Sequence, residues 1–189
     1  MKLLGILGGT FDPVHWGHVE LAREVRAALG LSAVRFVPAG DPPHRAAPVA
    51  TAAHRLAMVE LAIEGVEGLE VDAREIARSG RSYTVPTLED LRAETPARPL
   101  ALIVGADAFA GLPTWHRWTE LFALAHLVVA DLHARLDHLL QLVAHQLLAL
   151  HRLEILRLEP VLLQDADVGI LAPPRLLNRD PVVQDCKVD

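Results

Sequence analysis

Residues 5–18 read Gly5-Ile6-Leu7-Gly8-Gly9-Thr10-Phe11-Asp12-Pro13-Val14-His15-Trp16-Gly17-His18. The apolar run ending at Leu7 has strand length. Gly8 and Gly9 then allow a tight turn and leave no side chain between backbone N–H groups and an incoming anion. Thr10 adds a hydroxyl donor, and Pro13 stops a helix from starting early. His15 and His18 lie three residues apart, with Gly17 keeping the space beside them open. A helix beginning near Gly17 puts both imidazoles at its positive end, where they would meet a phosphate. Zinc also suits a His-x-x-His pair, but no second pair of ligands follows at a suitable spacing and Cys186 is the only cysteine. A plain glycine turn with His18 as a helix cap explains a lone Gly-Gly; it does not explain the whole spacing.

Working outward, strand and helix patterns alternate. A strand over about 2–8 leads to a helix over about 17–29, ended by Gly30. A short strand over 34–38 is followed by a proline-rich loop over 39–49. The segment 51–63 is helical, with Leu56, Val59 and Ile63 on one face. A strand is expected over 69–76, and a helix over 85–94 with Pro86 in its first turn. The apolar strand 100–104 runs into Gly105-Ala106-Asp107. A helical stretch over 118–124 and a buried strand over 126–130 complete the series. This order predicts a Rossmann-like α/β fold, a parallel sheet with helices on both faces, in one domain spanning 1–189. Ligands of such folds sit at the carboxyl ends of the strands, where Gly8, Ala39 and Gly105 fall. A Leu-rich helix is expected over 133–152. Its His133, His138, His145 and His151 stand at spacings that put no pair one turn apart, so they read as surface positions. Its apolar stripe reads as core-facing, with the seam of a homo-oligomer as the alternative.

The 189 residues suffice for one substantial core. Aromatics are only 4%, so that core must be aliphatic. A net charge of −6 argues against general nucleic-acid binding and leaves room for a local basic pocket. One cysteine fits a reducing cytoplasm. The N-terminal strand and motif do not read as a signal peptide, and no apolar run approaches the roughly 20 residues of a membrane span.

GGTFDPVHWGH resembles the signature of the nucleotidyltransferases with a His-x-Gly-His motif, and in this full form that of the bacterial nicotinate-nucleotide adenylyltransferases. The likeness covers about residues 3–130. It implies adenylyl transfer from ATP to nicotinate mononucleotide, giving deamido-NAD and pyrophosphate, with Mg2+ bridging the leaving pyrophosphate and no metal ligand from the protein. Backbone N–H groups from Gly8 through Gly9 and Thr10 to Phe11 would hold phosphate oxygens, His18 would donate to the α-phosphate, and His15 would orient the triphosphate.

Further groups follow from the same resemblance, each beside a plainer reading. His44 and Arg45, after the stiff Pro42-Pro43, would clamp a substrate phosphate, Arg45 as a fork; otherwise they belong to an exposed loop. Ser82, Tyr83 and Thr84 would lie by the pyridine carboxylate, with main-chain donors near Thr84; otherwise a Ser or Thr there caps a helix. Gly105 and Asp107 would meet the adenosine, Asp107 accepting from ribose hydroxyls; otherwise Asp107 is a helix N-cap. Trp115 would stack on the nicotinate ring, with Trp118 in the core.

The family pattern ends in Ile-Ser-Ser-Thr-x-Ile-Arg, whose hydroxyls and arginine hold the β- and γ-phosphates. Here Leu153 to Leu158 resembles the strand before it, and Asp167-Val168 fits its start, but Gly169, Ile170 and Leu171 replace the hydroxyls. Pro173 and Pro174 oppose a helix, and Arg175 is at most a displaced substitute. The stretch 167–189 is therefore atypical, and its abrupt onset fits a shifted reading frame. Two alternatives stay open: an adenylyltransferase for another acceptor such as nicotinamide mononucleotide, or a nucleotide-binding protein with impaired turnover.

Overall fold

The computed structural model describes residues 2–43, 47–130, 160–162 and 168–171. In chain order the elements are β1 (Leu4–Gly9), α1 (Trp16–Leu29), β2 (Ala33–Pro38), α2 (Ala52–Ile63), β3 (Leu69–Val71), α3 (Arg74–Ala77), α4 (Thr84–Glu94), β4 (Leu100–Gly105), α5 (Ala106–Ala110), α6 (Leu121–Leu124), β5 (His126–Ala130), β6 (Pro160–Leu162) and β7 (Val168–Leu171). Two 3-10 turns, Leu112–Thr114 and Trp118–Glu120, lie between α5 and α6. The strands form one sheet in the order β3-β2-β1-β4-β5-β7-β6.

Both faces of the central strands are apolar, as a sheet covered on both sides requires. The strand alternation sorts them cleanly. Leu100, Leu102 and Val104 of β4 join Leu127 and Val129 of β5 in a core with Val85, Leu88 and Leu91 of α4. Ala101, Ile103, Val128 and Ala130 face the other way, toward Val19, Ala22 and Val25 of α1 and Val59 and Ile63 of α2. Helices thus cover both faces, in the expected Rossmann-like arrangement. Gly30 closes α1 at φ +59°, with the Leu31 N–H reaching the Arg26 carbonyl at 3.0 Å.

The expected parallel sheet is present and is extended by two further strands, and one other expectation needs correction. Five strands, β3-β2-β1-β4-β5, are parallel, but β7 runs antiparallel to β5 and β6 antiparallel to β7. The sheet is therefore mixed, and Gly169, Ile170 and Leu171 lie in β7. The strand expected over 69–76 stops at Val71. Asp72 Oδ1 accepts the Arg74 N–H at 3.1 Å, and this local bond turns the chain into α3. The Leu-rich segment 133–152, the strand at 153–158 and Arg175 lie outside the described residues. Among the described residues no helix is long and apolar enough to cross a membrane.

Gly5 of β1 gives a test of this packing. A Cβ there would meet Leu31 Cδ1 and Val34 Cγ2 at 2.9 Å each. We expect Gly5→Ala to cost about 1–3 kcal/mol, the scale of overpacking. The measurement is a urea titration, and an unchanged midpoint would contradict the packing described.

Candidate active site

Strand pairing itself opens the site. β1 pairs with β2 as far as Gly9 and Pro38, but with β4 only as far as Leu7 and Ile103. β4 continues to Gly105 against Ala130 of β5. The two central strands therefore part at their carboxyl ends, at the point where the strand order reverses, and this is where open α/β sheets bind ligands. Gly8 sits at the opening. It is exposed, and a Cβ added to it meets nothing within 4 Å.

The residues from Gly9 to His18 form one mechanical chain. A Cβ on Gly9 would lie 3.0 Å from the Phe11 ring. Phe11 holds φ +50°, uncommon for a non-glycine residue, and is 3% exposed. Its ring packs on Phe36 at 5.6 Å and stands edge-on to His18 at 5.2 Å. His15 is the N-cap of α1, in extended backbone, and His18 occupies the third helical position. The His15 N–H donates to His18 Nδ1 at 3.2 Å, and the two rings lie 3.8 Å apart. Nδ1 is thereby an acceptor, which assigns the neutral ring's proton to Nε2. His18 thus presents an Nε2–H donor at the positive end of a 14-residue helix.

A second group gathers where the loop after β2 meets the segment before α4. The Gly40 and Asp41 N–H groups donate to Ser82 Oγ at 2.9 and 3.3 Å, and the Ser82 N–H donates to the Asp41 carbonyl at 2.9 Å. A Cβ on Gly40 would lie 2.4 Å from the Glu75 carbonyl oxygen. Ser82 is buried, and its hydroxyl also bonds Glu75, which accepts from Thr87 Oγ1 at 2.6 Å. The Ser82 hydroxyl is thus committed to joining loops. Burial pushes the Glu75 carboxyl above its ordinary range, against the pull of Thr87, Ser82 and Arg78.

Tyr83 is the N-cap of α4, and Thr84 begins that helix, so its N–H belongs to the first-turn donors that have no partner within the helix. The Tyr83 ring lies over His116 at 4.5 Å. Arg117, at φ +55°, bonds Glu89 of α4 at 2.7 Å and Glu120 at 2.6 Å, which ties the 115–118 loop to α4. Trp115 is partly buried and packs on the α4-side core, as does Trp118. Gly105 is the N-cap of α5, and Asp107 is exposed in its first turn, so Asp107 is not the cap. A Cβ on Gly105 would lie 2.8 Å from Asp107 Oδ1, so the glycine makes room for that carboxylate. The structure thus brings His15, His18 and the glycine loop together on β1 and α1, and links Ser82, Tyr83 and Thr84 to the loop of Trp115. His44 and Arg45 lie outside the described residues. Among the described residues no group of three or more His, Cys, Asp or Glu is arranged to hold a metal ion.

Sequence reading missed Arg55, Glu75 and His116. Arg55 carried a signal: it stands in phase with Val59 and Ile63, and these three are the buried residues of α2. Leu56, expected in that stripe, is only half-buried. Glu75 and His116 acquire partners only through folding, and the chain order gives no hint of them.

The sequence pattern of the cytidylyltransferase-like family matches residues 6–160, and the chain belongs to that family. It is 56% identical over 128 residues to a probable nicotinate-nucleotide adenylyltransferase of Dechloromonas aromatica, covering 67% of this chain and 59% of the relative. A protein of the same name from Methylococcus capsulatus is 54% identical over 128 residues, covering 67% of this chain and 61% of the relative. The chain thus spans about three fifths of the length of these relatives. Among solved structures, the nicotinic acid mononucleotide adenylyltransferase of Plasmodium falciparum complexed with NaAD superposes with a TM-score of 0.65 at 16% identity, over 76% of this chain and 71% of that one. At that identity the likeness concerns the fold.

The open side of Gly8 and the buried Glu75 each give a test. Gly8→Ala should leave the unfolding free energy from a urea titration within about 0.5 kcal/mol of the parent, because its methyl meets no protein atom. The glycine-loop motif predicts an anion cradle at this position, where the same methyl would stand in the way of a phosphate; ATP affinity measured by calorimetry is then expected to fall, and undiminished affinity would refute a cradle at Gly8. For Glu75, a raised carboxyl favours the protonated folded state. Its contribution is fully present below the ordinary carboxylate range and is lost as pH rises through the folded value. The stability of the parent relative to Glu75→Gln should therefore decline from pH 4 to pH 7. Parallel profiles in a pH series of melting temperatures would refute this.

Proposed function

We propose that this member of the cytidylyltransferase-like family transfers the adenylyl group of ATP to nicotinate mononucleotide, giving deamido-NAD and pyrophosphate. The observation that carries the reading is the His18 ring, held with Nε2–H as donor at the start of α1 beside the open Gly8 cradle. The names of the relatives support nicotinate mononucleotide as the acceptor.

A phosphate oxygen of the mononucleotide attacks the α-phosphorus of ATP in line. The new P–O bond forms as the bond from the α-phosphorus to the bridging oxygen breaks, and pyrophosphate leaves with that electron pair. Both reactants are anions, so the protein's tasks are alignment and charge stabilisation, and no protein nucleophile is needed. In this reading the N–H groups of Gly8 to Phe11 hold phosphate oxygens, His18 donates from Nε2 to the α-phosphate, and His15 orients the triphosphate. Asp107 accepts from ribose hydroxyls. Thr84 supplies main-chain donors to the pyridine carboxylate, Trp115 covers the ring, and His44 and Arg45 clamp the acceptor phosphate. Mg2+ brought with the triphosphate would supply charge neutralisation for the leaving pyrophosphate, and in this reading no side chain of the protein would ligate it.

A second reading, nucleotide binding with impaired turnover, is favoured by one observation. Val168–Leu171, where the family's late hydroxyl motif would stand, is a strand carrying glycine, isoleucine and leucine.

Pyrophosphate release from ATP with nicotinate mononucleotide separates the two readings: sustained turnover supports the transferase, and ATP binding with no release supports the second. His18→Ala should lower kcat by roughly a hundredfold or more, the scale for one preorganised donor, while the KM for ATP changes by less than about threefold. A raised KM with intact kcat would remove His18 from this role. Nicotinate mononucleotide should exceed nicotinamide mononucleotide in kcat/KM, because an amide NH2 facing donors leaves them poorly paired. Equal values would sink the acceptor assignment.

A further inference from the structure

We infer that Arg55 is a positioning residue that fixes the spacing between the loop after β1 and the loop after β2, and thereby sets the in-line alignment of the two phosphates. The link to alignment rests on the adenylyl transfer proposed above. Arg55 lies on α2 and is 1% exposed. Its Nη1 donates to the Thr10 carbonyl at 2.6 Å, its Nη2 to the Gly40 carbonyl at 3.0 Å, and its Nε to the Ala50 carbonyl at 3.3 Å. Thr10 directly follows the Gly8-Gly9 cradle. Gly40 opens the loop that leads through Pro42 and Pro43 toward the acceptor side. One planar group therefore spans the two loops that would carry the two reactants.

Neighbouring bonds make this a closed frame. Asp12, two residues after Thr10, accepts the Val49 and Ala50 N–H groups at 2.6 and 3.1 Å. The loop after β1 is thus tied to the start of α2 by Asp12 as well as through Arg55. Gly40 is held on its amide side by Ser82, which bonds Glu75. Burial lowers the Arg55 guanidinium from its ordinary value, and the nearby Asp12 carboxylate opposes that shift.

The residue type is informative. Val59 and Ile63 continue the same buried stripe and fill it with hydrocarbon. A buried guanidinium is costly unless its donors are met, so a position needing only bulk is better served by an aliphatic residue. Arginine offers donors at fixed angles on a rigid fork, whereas a lysine is one flexible point charge. Alignment is the task most sensitive to such a frame, since a displacement of ~1 Å in a reactant can cost on the order of a hundredfold in rate.

The test uses the full chain with Arg55→Lys and Asp12→Asn, read by steady-state kinetics and by amide hydrogen exchange. For Arg55→Lys we expect kcat to fall roughly 30- to 100-fold, with the KM for ATP and for nicotinate mononucleotide each within about threefold. A lower melting temperature with kcat per folded molecule unchanged would show a merely structural role and overturn the inference. In exchange, segments 8–12 and 40–42 should lose protection together while β4 and α4 keep theirs. Loosening of one loop alone, or of the whole sheet, would also overturn it. If Arg55→Lys does not fold, Arg55→Gln, whose shorter amide cannot span the Thr10 and Gly40 carbonyls together, decides by the same two readings. Asp12→Asn, which keeps the guanidinium and its three bonds, should lose only about three- to tenfold in kcat, and a larger loss there than at Arg55 would overturn the inference. Absence of turnover in the parent chain would defeat the proposed function, and the exchange measurement would still decide whether Arg55 holds the two loops.

Discussion

Beyond Leu7 and Ile103, β1 and β4 share no ladder hydrogen bonds, so the backbone groups at their ends need other partners. The molecule meets that need with a few well-placed donors. The Ala39 N–H reaches the Gly9 carbonyl at 2.9 Å and keeps β2 beside β1 for one residue more. The Thr10 and Gly40 carbonyls, past the ladder, take the two ends of the Arg55 guanidinium. The exposed backbone at Gly8 stands at the gap. The opening that makes a ligand site possible also dictates which side chains must be spent on holding it.

Charge is distributed by the same logic. The chain is acidic, yet several arginines near the site are occupied by carboxylates. Arg74 is shared between Asp72 and Glu94, Arg78 pairs with Asp90, and Arg117 with Glu89 and Glu120. Glu94, Asp90 and Glu89 are all on α4. The more exposed of these pairs, those of Arg78 and Arg117, add little stability singly. Their effect is geometric: they pin the segments on either side of α4 to it, so that the loop carrying Ser82 and Tyr83 and the loop carrying Trp115 and His116 share one support.

How much of this was legible in the sequence depended on whether the cause was local. The glycine turn, the His15 and His18 pair, the apolar strands and the Gly30 cap each depend on neighbours within a few positions, and the structure places them close to where the sequence suggests. β3 ended early because one carboxylate, Asp72, found the Arg74 N–H, a bond that competes with strand pairing and leaves no trace in hydropathy. In α2, apolarity pointed to Leu56, while the buried position was its charged neighbour Arg55, one residue away and about 100° around the helix. Burial there is decided by a local carbonyl, Ala50, and by two brought from elsewhere in the chain, Thr10 and Gly40. Ser82 was legible as a polar residue before a helix, but which polar partner it would take was not.

The His18 ring has two nitrogens on opposite edges, and the fold claims one of them. Nδ1 holds the start of α1 through the His15 N–H, and Nε2 is the nitrogen to which the proposed reaction gives its donor role. Asparagine places its amide near the first of these positions and glutamine near the second. Each could mimic half of the imidazole, and neither spans both. A second proton on the ring would likewise turn Nδ1 from acceptor to donor and set it against the main chain. The residue is therefore constrained by a backbone that needs a lone pair, and under the proposed adenylyl transfer also by a chemistry that needs a proton.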